Sequence, residues 1–407
     1  MKKVVINMNL GIQLMEKQLI KSLFAKIRHG GLRVRYWDGE EADYGDAAPA
    51  VKLIFRRSPA VAASLDDPAL ALGEAYMDRT VDYEGRLEDL LSLMADNQAL
   101  FAKSDTAAKV RKAVDRFTSR TQAKENIQHH YDLGNDFFAL WLDDTMSYSC
   151  AYFKREEDSL HQAQLQKLDH ILRKLDLHPG ERLLDIGSGW GWLIIKAAQT
   201  YNVNAVGITL SEEQYRATRE RIAALGLDGK VTVELVDYLD LDEERNRFDK
   251  IVSVGMFEHV GKDNIPKYFD KICRLLTPKG LSLLHTITST SEAVFGNNWM
   301  KTYIFPGGYV PTLRELIWQL PDHGFQLLHA ESLRRHYAMT LDRWYANYAR
   351  QTDIVREKFG DRFFRMWELY LQACAASFRI SALDVHQLLF SKGANNDLPL
   401  TNDHIYA

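Results

Sequence analysis

Cysteine is scarce in this chain: Cys150, Cys273 and Cys374 are the only three in 407 residues, and they stand far apart. An odd, scattered set offers neither a disulfide framework nor the close ligand pairs of a zinc site, so a reducing cytoplasm and no metal centre are expected. Long apolar runs are missing too. No stretch approaches the roughly 20 residues that span a bilayer, which limits any expected membrane contact to the surface. The N-terminus carries Lys2 and Lys3, but Asn7 and Asn9 interrupt its apolar stretch, and it reads as a poor signal peptide. There is no excess of positive charge. The formal net charge is −4, which gives no overall footprint for nucleic acid. Repeats and low-complexity tracts are also absent. What remains is an ordinary globular composition, 46% hydrophobic and 26% charged, at a length that predicts two or three domains.

Up to about residue 100, short alternating segments (32–36 and 51–55) mix with helical ones (68–77 and 87–100). That is the pattern of a small α+β domain whose strands keep one wet face. Residues 103–125 lose aromatics and gain charge, with Lys103, Lys109, Arg111, Lys112, Arg116, Arg120 and Lys124 against Asp105, Asp115 and Glu125. This reads as a connector, either a solvated helix face or a patch for lipid headgroups. Beyond 159, Leu165, Leu168, Ile171, Leu172 and Leu175 recur at helical spacing until Pro179 and Gly180 stop the helix. Strand candidates follow at 182–186, 205–209, 231–236, 250–254 and 281–287, separated by helical stretches at 193–200, 211–225 and 265–276. Strands alternating with helices predict a parallel, doubly wound α/β sheet. After 290, an aromatic insertion from Trp299 to Tyr309 precedes a region expected to be helical over 341–390. The expected organisation is an N-terminal α+β domain at 1–102, a connector at 103–124, and a catalytic domain at 125–407 with the insertion at about 290–345.

The segment Arg182-Leu-Leu-Asp-Ile-Gly-Ser-Gly-Trp-Gly-Trp192 concentrates the functional signal. An apolar strand ends in Asp185, and glycines then let the backbone turn sharply and let a ligand approach. Gly187, Gly189 and Gly191 give G-x-G-x-G and not the G-x-G-x-x-G of dinucleotide sites, which disfavours a nicotinamide dehydrogenase. In open α/β sheets ligands sit beyond the carboxyl ends of the strands. Asp185, Thr209, Asp237 with Tyr238, Glu258 and His285 should therefore converge on one edge. Several of these have plainer readings. His285 lies in an apolar strand and could be a satisfied core residue. Ser211-Glu-Glu-Gln214 fits a capping box, in which Gln214 serves only the backbone. Asp237 could accept from an adenine amino group or cap a turn. Thr209 stands where many nucleotide-binding folds place an acid. Cys150 could be an inert buried thiol, and Tyr337 a surface residue.

Read in order, seven stretches resemble one family: His129-His-Tyr-Asp-Leu-Gly-Asn-Asp-Phe-Phe138, Tyr148-Ser-Cys-Ala-Tyr-Phe153, Leu184-Asp-Ile-Gly-Ser-Gly-Trp-Gly191, Gly207-Ile-Thr-Leu-Ser211, Val254-Gly-Met-Phe-Glu-His-Val-Gly261, Leu284-His-Thr-Ile287 and Tyr303-Ile-Phe-Pro-Gly307. They resemble the cyclopropane-fatty-acyl-phospholipid synthases and the related mycolic acid cyclopropane synthases, over most of residues 125–392. The N-terminal domain looks like that of the longer, phospholipid-acting branch. Ser188 departs from the cysteine common at its position.

The resemblance implies an S-adenosylmethionine (SAM)-dependent methyltransferase fold. The implied reaction is transfer of a methylene to the cis double bond of an acyl chain in a membrane phospholipid, with bound bicarbonate as base. By position, Glu258, His285 and Tyr337 would hold the bicarbonate through side chains, and Cys150 and Ile287 through their backbones. The matched SAM positions are Tyr131, Tyr148, Ser149, Asp185, Gly187, Gly189, Thr209, Leu210, Gln214, Asp237 and Tyr238. Tyr131, Tyr148, Trp299 and Phe305 are the expected aromatic lining of the lipid cavity. The resemblance also implies a homodimer in the cytoplasm, touching the inner face of the membrane peripherally, and no nucleic-acid partner. The rival expectation is a SAM-dependent methyltransferase that makes a methyl-branched lipid or N-methylates a small amine.

Overall fold

The computed structural model describes residues 2–59, 67–97, 133–290 and 298–406. The expected connector at 103–124 and Tyr131 lie outside them. The chain divides into two compact units: Met1–Thr118, Gly296–Pro306 and Ala349–Ile380 form one, and Ser119–Phe295, Gly307–Tyr348 and Ser381–Ala407 the other.

In the first unit a mixed four-stranded sheet has the order β2-β1-β3-β4, with β1 Gly31–Arg35, β2 Glu41–Gly45, β3 Val51–Phe55 and β4 Val81–Glu84. Alternation sets its faces. In β3, Val51, Leu53 and Phe55 are buried while Lys52 and Ile54 between them are partly open. The helix Pro68–Met77 starts on Asp67, whose side chain accepts from Leu70 N, with Pro68 at the first turn where a missing N–H costs nothing.

The sequence-based domain boundaries need one correction. Segments 296–306 and 349–380, expected in the catalytic domain, belong to this first unit. The helix Asp361–Arg379 packs on the helices Pro68–Met77 and Leu87–Asp96. Arg365, itself buried, donates to the Tyr76 carbonyl (2.6 Å) and pairs with Asp82, and Tyr76 Oη donates to Glu368 (2.7 Å). Trp299 is 3% exposed, and its indole fills the space left at Gly73, where a Cβ would stand 2.5 Å from the ring. Phe305 packs edge-on to Tyr370 at 5.7 Å. Trp299 is thus a core residue of the first unit, and the half-buried Phe305 packs within the same unit. Trp299→Ala is expected to cost about 3–5 kcal/mol of stability, measured as a lower thermal midpoint. An unchanged midpoint would contradict this packing.

The second unit is a seven-stranded sheet of order β10-β11-β9-β8-β5-β6-β7. Its strands are β5 Arg182–Ile186, β6 Asn204–Thr209, β7 Val231–Leu235, β8 Phe248–Val254, β9 Leu276–Ser289, β10 Phe325–Ser332 and β11 Leu383–Lys392. The five strands β5 to β9 are parallel, and β11 is inserted antiparallel between β9 and β10. Helices cover both faces. Leu183 faces a core with the helices Leu160–Lys174 and Trp192–Tyr201, and its neighbour Leu184 faces one with Ile265–Leu275 and Leu313–Asp322. The doubly wound α/β expectation holds. The expected helix over 341–390 does not hold at its end, because Leu383, Val385 and Leu389 alternate on one face of β11 and are buried.

Candidate active site

Strand β5 ends at Asp185 and Ile186, and the chain then turns through Gly187, Gly189 and Gly191, all at positive φ (80°, 55° and 82°). The amides of Gly187 and Ser188 both donate to Ile208 O on β6 (3.0 and 2.9 Å), which pins the turn to the sheet edge. The glycines differ in role. A Cβ at Gly187 would press on Met256 at 2.8 Å and one at Gly191 on Thr218 at 2.3 Å, whereas one at Gly189 would meet no protein atom within 4 Å. The turn is packed from behind and open at its middle.

Asp185 is buried, and its Oδ1 has no hydrogen-bond partner among the described residues. Burial pushes its pKa up to about 7, with Lys167 pulling the other way. For a carboxyl raised by folding, the stabilisation is complete below about pH 4, where the unfolded group is also protonated, and is lost as pH rises through about 7. The ligand-free protein should therefore lose the Asp185 contribution between about pH 4 and pH 7, and Asp185→Asn should flatten that loss. Melting both proteins at the two pH values checks this, and parallel curves would refute it.

At the end of β6, Thr209 Oγ1 donates to Gln214 Oε1 (2.8 Å) and accepts from Ser211 N (3.1 Å). Ser211 caps the next helix by accepting from Gln214 N, but the Gln214 side chain turns to Thr209, so the box is only half formed. Leu210 beside them is half-buried. Asp237, after β7, caps the turn Tyr238–Asp240 by accepting from Leu239 N (2.9 Å) through one carboxylate oxygen. Tyr238 stands edge-on to Tyr268 at 5.6 Å.

Strands β8 and β9 bring the next groups together. Val254 pairs in register with His285, and Gly255 N donates to His285 O (2.9 Å). The short turn Phe257–His259 then places Glu258 Oε1 to accept from Ile287 N (2.7 Å). Glu258 Oε2 is buried with no partner in hydrogen-bond geometry among the described residues, and the Thr286 hydroxyl, which donates to Ile287 O (3.3 Å), lies close enough to the carboxylate to help lower its pKa. Burial pushes the Glu258 pKa up, while the Ile287 amide pulls it back. His285 is buried, which drives its pKa well below the usual range, and the ring is neutral.

A wall of aromatic rings stands in the same unit. Tyr148 is surrounded by Phe138 (5.4 Å), Trp141 (5.3 Å) and Trp344 (5.3 Å), and Tyr337 lies edge-on to Trp344 at 6.0 Å. Tyr337 is half-buried on the helix Arg334–Arg350 and is no surface residue. Thr340 of that helix accepts from Ala151 N (3.0 Å), and the Cys150 thiol donates to the Ala151 and Leu333 carbonyls (3.3 and 3.8 Å). Burial raises the Cys150 pKa far above its ordinary value, so the thiol is inert as a nucleophile.

Comparison with known proteins gives the chain its family. The family model described as mycolic acid cyclopropane synthetase matches residues 118–388, and a domain of unknown function, DUF7884, matches 19–106. The chain belongs to the mycolic acid cyclopropane synthetase family. The cyclopropane-fatty-acyl-phospholipid synthase of Escherichia coli is 40% identical over 82% of this chain and 86% of its own. A probable fatty acid methyltransferase of Pseudomonas putida is 37% identical over 93% of this chain and 97% of its own. Among solved structures, a mycolic acid cyclopropane synthase complexed with SAH and CTAB superposes with a TM-score of 0.63 at 36% identity, covering 66% of this chain and 98% of that one.

For a member of the cyclopropane synthetase family, one part of the site was hidden in the sequence. The helix Leu160–Lys174 clamps the 147–150 segment: Gln164 Nε2 donates to the carbonyls of Ser147 and Ser149 (3.3 and 3.0 Å), and Lys167 Nζ donates to Ser149 Oγ (2.9 Å). Lys167 is only 2% exposed, and burial pushes its pKa down to about 8. The leucine stripe marks one face of this helix as apolar, and Gln164 and Lys167 look like solvent positions beside it. Their only sequence signal is their spacing of three, which aims both at the same neighbour.

Proposed function

We propose that the chain transfers a methylene from SAM to the cis double bond of an unsaturated acyl chain in a bilayer phospholipid, closing a cyclopropane ring with bound bicarbonate as base. The observation that carries this reading is Glu258, tied to Ile287 N through one oxygen and left with the other buried and unpartnered. A buried, half-satisfied carboxylate beside a neutral imidazole fits a small oxyanion that bears a proton of its own. The relatives named for cyclopropane synthesis support the reaction, and the SAH in the similar structure is the form SAM takes after giving up its methyl group.

When bound, SAM supplies an electrophilic methyl group. The alkene is a weak nucleophile, so the open middle of the glycine turn, the Thr209–Gln214 pair and the Tyr148–Ser149 segment must hold the donor close and in line. Tyr148, Trp141 and Trp344 present ring faces and edges that stabilise positive charge on the acyl chain and keep out water, which would trap the cation as an alcohol. Bicarbonate held there supplies the base for ring closure. Glu258 Oε2 would accept its hydroxyl, His285 and Tyr337 would donate to its oxygens, and the Cys150 backbone would complete the seat, while Ile287 N, expected to hold the anion itself, is spent on holding Glu258 in place. The peripheral bilayer contact follows from the substrate, and among the described residues no helix is long and apolar enough to cross a membrane.

The second reading, a methyl-branched product, is favoured by the Pseudomonas putida relative named as a fatty acid methyltransferase. Incubation with labelled SAM and unsaturated phospholipid vesicles separates the two by lipid mass spectrometry. A ring adds CH2 and then resists catalytic hydrogenation. A product that still takes up hydrogen, or one heavier by CH4, is a methyl branch and sinks the cyclopropane reading.

A further inference from the structure

Strand β11 puts one polar side chain directly against the site. Gln387 lies opposite His285 in the antiparallel register of β11 and β9. Both side chains are inside the protein, Gln387 at 0% and His285 at 2% exposure. The Gln387 amide nitrogen stands 3.1 Å from His285 Nδ1. An amide nitrogen has hydrogens and no lone pair to offer, so at this contact it can only donate. Nδ1 must then be the bare, accepting nitrogen, and the single proton of the neutral ring sits on Nε2. Among the described residues Nε2 makes no hydrogen bond.

From this contact we infer that Gln387 is a positioning residue that fixes His285 as its Nε2–H tautomer, so that His285 meets the bound base as a hydrogen-bond donor and not as a proton acceptor. The inference rests on the reading of the Glu258–His285 site given above. It adds a division of labour to that reading. A ring with its proton already on Nε2 has no lone pair there, so the proton released on ring closure cannot go to His285 and must leave through the base. A doubly protonated ring is excluded by the same contact, because Nδ1–H would face the amide hydrogens, donor against donor. Desolvation, with Lys167 and Lys174 adding positive charge nearby and Glu331 opposing them, also favours the neutral ring.

The opposite amide orientation would place Gln387 Oε1 on Nδ1 and leave the Nε2 lone pair bare. It gains nothing in satisfaction. At present Gln387 Oε1 is the buried atom of this amide without a partner among the described residues. Reversal would orphan an NH2 in its place, and buried unpaired N–H groups are rarer and costlier than under-satisfied carbonyls. The neighbouring pair on these strands, Thr288 Oγ1 with His386 Nδ1 (2.8 Å), uses its own partners and does not compete for His285.

The test uses the full chain labelled with heavy nitrogen at histidine, ligand-free and at neutral pH, with His285 assigned by its loss in His285→Ala. Nitrogen–proton correlation spectra should show the proton on Nε2. A proton on Nδ1, or on both nitrogens, overturns the inference, and this measurement needs no Gln387 variant to fold. In Gln387→Glu an acceptor replaces the donor. Its His285 should take a proton at Nδ1, and turnover should fall about 10- to 100-fold, the usual effect of losing an orienting partner, with SAH affinity by calorimetry retained. A folded Gln387→Glu protein with wild-type turnover also overturns the inference. If His285→Ala itself keeps wild-type turnover, the site reading fails instead, whatever the tautomer.

Discussion

Glu258→Gln is expected to lower turnover by about 10²–10⁴-fold, the range over which positioned proton-transfer groups act, while SAH affinity stays close to that of the unaltered chain. The substitution preserves size and can preserve the bond to Ile287 N, since an amide carbonyl can replace Oε1. What it changes is the second atom, now the buried and unpartnered Oε2. There an acceptor becomes an NH2 donor, so a hydroxyl held at that point loses its acceptor and meets a donor instead. Nothing in the glycine turn or in the Thr209–Gln214 pair depends on Glu258, which is why cofactor affinity is the control. Product formation by lipid mass spectrometry and SAH binding by calorimetry read the two effects separately. A loss of SAH binding as large as the loss of turnover would make Glu258 a cofactor residue.

Gly189→Val should do the reverse, weakening SAM and SAH binding by about 100-fold or more, which is about 3 kcal/mol at 1.4 kcal/mol per tenfold. At Gly189 an added Cβ meets no protein atom within 4 Å, so a side chain there starts into the open space assigned to the ligand. The left-handed backbone, φ +55°, adds strain of about 1–2 kcal/mol for a residue with a Cβ. Gly191→Ala is the contrast. Its Cβ would overlap Thr218, so its cost falls on the fold. If Gly189→Val binds SAH as tightly as the parent, the turn is not the cofactor seat.

The sheet edge was legible in the sequence because strand ends announce themselves. An apolar run meets a glycine or a polar residue at Asp185, Thr209, Val254 and His285, and the structure puts each of these at the end of its strand or, for His285, in register with Val254. The assignment of Glu258 and Ile287 to one seat came from the family resemblance. The bond from Ile287 N to the Glu258 carboxylate depends on a short turn that no periodicity reveals. Other features were hidden because tertiary pairing decided them. The alternating residues of β11 sit at the end of a long helical region and were absorbed into it, so Gln387 went unnoticed as a neighbour of His285. Trp299 and Phe305 were read as cavity walls from their aromatic character alone. Their actual partners, Gly73 and Tyr370, are distant in sequence, and no local pattern could have named them. Trp141 and Trp344, which do surround Tyr148, carry no local signal that separates them from the other tryptophans.

The three-part make-up of the first unit bears on the order in which the chain can fold as it is synthesised. Domains generally fold N-terminal first, as units, while the ribosome adds about 5–20 residues per second. Here the first unit's helices Pro68–Met77 and Leu87–Asp96 wait for the helix Asp361–Arg379, and Gly73 waits for Trp299. The chain that forms the whole catalytic sheet up to β10 must leave the ribosome first. The N-terminal segment is thus made first and completed among the last, with its apolar helix faces uncovered for most of translation.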